Sequence, residues 1–77
     1  MASDPVTTMV NMARERPDPK GVSQWLIAYL GKRPLDMKLE LLKGFEAEIK
    51  AKHLGAADVR AATLVLKTIE KVRETLR

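Results

Sequence analysis

Bond-making catalysis needs a nucleophile, a base and an orienting group that converge in space. The 77-residue sequence offers one histidine, His53, and no cysteine. His53 stands beside Lys52 near the expected end of a helix, where a histidine reads as a partly exposed terminal residue rather than a general base. Two carboxylate pairs, Asp36/Glu40 and Glu70/Glu74, are spaced i, i+4 and so share a helix face. Such pairs can hold a divalent ion or share a proton. Interleaved with lysines, they read instead as solvated charge, and Glu46/Lys50 and Glu48/Lys52 have the charge order that supports a helix. Gly21, Gly31, Gly44 and Gly55 stand too far apart to form a phosphate-cradling loop. One histidine and no thiolate exclude every metal site except an all-carboxylate one. The expectation is a protein that is not an enzyme and takes no cofactor, metal or small-molecule substrate.

Positive charge is the remaining chemical bias. Lys and Arg number 14 against 10 Asp and Glu, a formal net charge of +4. Arg14, Arg16, Lys20, Lys32 and Arg33 fall within residues 14–33, where Glu15 and Asp18 are the only acids. Folded onto one side, they would make a patch that attracts phosphate backbones in a salt-dependent way. Arg60, Lys67, Lys71 and Arg73 add charge near the C-terminus, diluted by Glu70 and Glu74. A modest net charge also serves solubility alone.

The elements that position these groups are helical. No Asn-Gly or Asp-Gly hairpin signal and no sustained alternation of period two is present. Ser3-Asp4-Pro5 can cap and start a first helix, in which Val6, Met9, Val10 and Ala13 share one face. That helix must stop before Pro17. Pro17-Asp18-Pro19-Lys20-Gly21 is a stiff bend, and Asp18-Pro19 can open a second helix. Val22, Trp25, Leu26, Tyr29 and Leu30 form its stripe, and Gly31 suits its end, followed by the dipole-matching Lys32 and Arg33. Trp25 and Tyr29 read as core anchors more than as contact residues.

A third helix is expected from about Pro34 or Leu35 to Leu54, with Leu35, Leu39, Leu42, Phe45 and Ile49 inward and Gly55 as the stop. Gly44 within it signals close approach of a neighbour, or a kink. A fourth runs from about Ala57 to Leu76, with Val59, Ala62, Leu66, Ile69, Val72 and Leu76 inward. Leu64 and Val65 widen its apolar face. The two long helices, joined by a short glycine-containing turn, predict an antiparallel hairpin covered on one side by the two shorter ones.

The order Val22-Ser23-Gln24-Trp25-Leu26, then Leu54-Gly55 and Arg60 before a long last helix, resembles sterile-alpha-motif domains. That resemblance implies a small helical module that associates with itself, with other proteins or with RNA. The family has several short helices in its middle, where residues 35–54 here read as one, and no site residue is carried over from it.

Chain length sets the last constraint. A domain this small buries only about 60% of its unfolded surface, so its core is thin and a homo-oligomer or partner is expected to help. No apolar run reaches the roughly 20 residues that span a bilayer, and the first residues lack the pattern of a secretory signal, which predicts a cytoplasmic, membrane-free protein. The full expectation is a single all-α domain over residues 1–77 that acts as a protein–protein interaction module. Met37, Leu64 and Val65, which fall off the main stripes, are its candidate contact surface. The alternative is a DNA- or RNA-binding regulator using Arg14, Arg16, Lys20, Lys32, Arg33, Arg60 and Lys67.

Overall fold

The computed structural model describes residues 4–52 and 55–76. Four helices account for nearly all of them: α1 (Pro5–Glu15), α2 (Pro19–Leu30), α3 (Leu35–Ala51) and α4 (Ala56–Leu76), with no strand among the described residues. The helix starts follow the local chemistry. Asp4 Oδ1 accepts the Val6 N–H at 3.2 Å, and Asp18 Oδ1 accepts the Lys20 N–H at 3.0 Å. Each aspartate precedes a proline at the first helical position, so one orphan donor is capped and another is absent. Ser3, the other expected cap, lies outside the described residues.

Gly31 ends α2 with φ at +56°, a backbone geometry that a Cβ disfavours. Arg33 folds back over this end. Its Nη1 donates to the Tyr29 and Leu30 carbonyls, and its guanidinium lies 5.3 Å from the Tyr29 ring centroid. α3 stops at Ala51, earlier than Leu54, and Lys52 turns to extended backbone. Lys52 Nζ there donates to Thr7 Oγ1 at 3.3 Å and lies 3.8 Å from Asp4 Oδ2, which ties the end of α3 to the start of α1. His53 and Leu54 lie outside the described residues.

As the apolar patterning predicted, two short N-terminal helices pack on two long C-terminal ones. α4 is the shared element and touches α1, α2 and α3, most extensively α1. Val65 and Ile69 of α4 are fully buried with Val6 and Met9 of α1, Leu26 of α2 and Leu42 of α3. Burying side chains of this size contributes about 1.5–3 kcal/mol each. Trp25 stacks on Tyr29 with ring centroids 5.2 Å apart, and Phe45 of α3 meets the Tyr29 ring edge-on at 5.8 Å. The aromatics thus seal the edge of the core between α2 and α3, as expected of anchors.

Three details differ from the patterning. Val59 and Leu35, assigned inward, are 48% and 47% exposed. The buried arc of α4 instead takes in Ala61, Val65 and Thr68, because three helices converge on it. Thr68 is tolerated there because its hydroxyl donates to the Leu64 carbonyl at 2.8 Å. The α3–α4 pair is staggered: Glu46 lies 3.4 Å from Arg73, near the end of α4, rather than beside its first turns. Gly44 is exposed, and nothing lies within 4 Å of a Cβ built on it, so no neighbour approaches closely.

The two glycines therefore predict opposite effects in urea unfolding. Gly44→Ala should stabilise by about 0.5–1 kcal/mol, because it costs no contact and removes a flexible residue from a helix interior. Gly31→Ala should destabilise by about 1–3 kcal/mol through its positive φ. Glu46 gives a pH prediction. Its pKa is held below the usual carboxylate value, first by the hydrogen bond from Lys50 and also by the charges of Lys50 and Arg73. A depressed folded pKa gives stability that is present at neutral pH and lost as pH falls through the folded value. Glu46→Gln should lower Tm at pH 7, and the difference from wild type should shrink as pH drops below the carboxylate range.

Candidate nucleic-acid interface

Among the described residues, no cluster of three or more His, Asp or Glu side chains could hold a metal ion. The surface is better described by its charges. Along α4, Arg60, Lys67 and Lys71 are spaced 7 and 4, which places them in one row. That row spans about 16 Å at 1.5 Å per residue. It borders a hollow with Pro19, Thr63, Leu64 and Thr68, which adjoins a second hollow at the start of α2, lined by Pro19, Lys20, Ser23, Gln24, Thr68 and Lys71; the two together make up the α2/α4 groove. Thr68 lines both hollows and is nearly fully buried.

Four cations, Lys20, Arg60, Lys67 and Lys71, line this groove, and no carboxylate does. None of the four forms an ion pair among the described residues. Glu70 and Glu74 are exposed on the same helix but do not line the groove. Thr63 spends its hydroxyl proton on the Val59 carbonyl at 2.8 Å, so Ser23 and Gln24 are the uncharged side-chain donors along the walls. The arrangement can attract and hold an extended anion.

The other expected basic residues are dispersed. Arg14 borders the far side of Arg60 in a shallow depression, and its Nη1 is paired with Asp58 Oδ1 at 2.9 Å. Arg16 sits in a hollow that it shares with Glu15 and Asp18. Lys32 and Arg33 lie beyond the far end of α2, about 15 Å from Lys20 by helix length, and Arg33 caps that helix. Arg14, Arg16, Lys20, Lys32 and Arg33 therefore do not form the single patch that their closeness in sequence suggested. Arg60, Lys67 and Lys71 line one hollow, and Lys20 shares the adjoining one with Lys71. The 7 and 4 spacing could have separated Lys71 from Arg73, which faces α3. Nothing in the sequence places Lys20 beside Lys71.

The expected apolar contact residues are also separated. Val65 is 0% exposed and belongs to the core, which corrects its assignment to a contact surface: it lies in the arc of α4 that faces its neighbours. Leu64 is half-buried inside the basic groove. Met37 is 50% exposed on α3, in a shallow hollow with Leu41 and Phe45 beside Gly44, rimmed by Glu40, Glu48 and Asp4. Ile27 of α2 and Val59 of α4 are exposed on other helices. Among the described residues, no helix is long and apolar enough to cross a membrane. No family model, curated protein or solved structure matches the chain.

Proposed function

We propose that the protein is a non-enzymatic nucleic-acid-binding module that holds phosphate backbone in the α2/α4 groove. The observation that carries this reading is the row of Arg60, Lys67 and Lys71 along one hollow, with Lys20 beside Lys71 in the adjoining one and no carboxylate lining either. Cations that form no ion pair among the described residues can neutralise an external anion, and the release of counterions drives such binding. Phosphates accept from ammonium and guanidinium groups, and Ser23 and Gln24 extend the donor set along the wall. Each lysine reaches the groove from a helix whose inner face is buried, so the charges are carried on a rigid frame.

A second reading keeps the expected protein contact and rests on Met37. Half-exposed beside Leu41 and Phe45, it belongs to an apolar hollow with an acidic rim, a surface chemically unlike the basic groove. Self-association through that hollow would raise the mass in sedimentation equilibrium as concentration rises. Met37→Glu should then return the protein to monomer; a mass that stays monomeric in the wild type removes this reading.

The nucleic-acid reading is tested by fluorescence anisotropy with labelled generic oligonucleotides, titrated from low to moderate salt. Binding should weaken steeply as salt rises. Lys67→Ala combined with Lys71→Ala should lower affinity about tenfold or more at low salt while leaving the helical circular dichroism unchanged. Absence of binding at low salt would refute the proposal.

A further inference from the structure

We infer, on the reading that the α2/α4 groove binds nucleic acid, that its ligand is a double helix gripped by its backbone without readout of base sequence. Proteins that hold single strands combine a basic track with aromatic platforms on which unstacked bases lie. The chain has one Trp, one Tyr and one Phe. All three are committed to each other on the α2/α3 edge, with Trp25 on Tyr29 at 5.2 Å and Tyr29 against Phe45 at 5.8 Å. None lines the groove. No stacking platform is left for a splayed base.

What the groove does offer is charge at fixed spacing. Arg60, Lys67 and Lys71 are held on one helix over about 16 Å. A duplex presents one phosphate charge per roughly 1.7 Å of axis on a stiff frame, and a rigid row of cations complements a rigid row of anions. Ammonium and hydroxyl groups can also touch base edges, but planar amide and guanidinium groups discriminate best because they make two matched bonds at once. Gln24 and Arg60 are the groove's candidates for that role, and they line different hollows. The ammonium groups of Lys20, Lys67 and Lys71 dominate the lining and suit phosphate as point charges.

The number of cations fixes the salt dependence. If the four each neutralise one phosphate, log affinity should fall with log salt at a slope of about −3.6 on duplex. Removing two of them should bring it to about −1.8. The experiment is anisotropy across a salt series with three probes of equal length: an A·T-rich duplex, a G·C-rich duplex and a single strand. The two duplexes should bind within about twofold of each other, and both more tightly than the single strand.

Lys67→Ala with Lys71→Ala should halve the slope. Arg16→Ala with Lys32→Ala, which removes the same charge outside the groove, should leave it unchanged. A single strand bound as tightly as duplex or more so, a preference between duplexes beyond twofold, or equal slope changes from both double variants would overturn the inference. In the first two cases the groove would still stand as a nucleic-acid site. Loss of salt-dependent binding to all three probes would overturn the underlying reading as well.

Discussion

One helix carries the whole arrangement. α4 is the element against which α1, α2 and α3 all pack, and Val65 and Ile69 at its middle have no exposed surface. In a chain of this length the apolar surface is too small to support separate clusters, so every element must reach the same few side chains. The 11.7 Å radius of gyration fits this economy, since a chain of 77 residues at native density is expected near 11.5 Å. The aromatic seal at the α2/α3 edge and the polar tether of Lys52 to α1 add contacts outside α4.

The same helix divides its circumference between two tasks. Its inner arc, from Ala61 and Val65 to Ile69 and Val72, is closed by three neighbours. The arc beside α2 carries Arg60, Lys67 and Lys71, and between the two lie Leu64 and Thr68. Leu64 is therefore both a partner of the core and part of the groove. Its apolar character, read from sequence as spare contact surface, is spent at the seam where α2 meets α4.

Much of the fold was legible in the chain. The caps at Asp4 and Asp18, the proline starts and the Gly31 stop depend on residues within a few positions of each other, so local chemistry specified them. The inward faces of α1 and α2 were equally plain, because each is buried on one side. α4 was harder. A stripe through Val59 and Leu66 fits a helix with one neighbour, whereas three neighbours pull Ala61, Val65 and Thr68 inward and leave Val59 exposed. The grouping of charges was the least legible feature. Arg14, Arg16 and Lys20 are close in sequence, but the bend at residues 16–18 sends them to different hollows, and Arg14 goes to Asp58. Lys20 meets Lys71 only through the crossing of two helices, which no local pattern encodes.

The position of the basic row on α4 would link ligand occupancy to folding. Lys67 and Lys71 are one turn apart, and Arg60 lies two turns before Lys67, so like charges stand along the very helix that the core requires, offset in part by Glu70 and Glu74. An anion that settles among them would ease their repulsion and would favour the folded chain, where these charges are held together. By mass action such a ligand adds its binding free energy to the stability of the domain. The small core leaves the folded fraction sensitive to that addition, and the amount of folded protein would then rise and fall with the supply of its ligand.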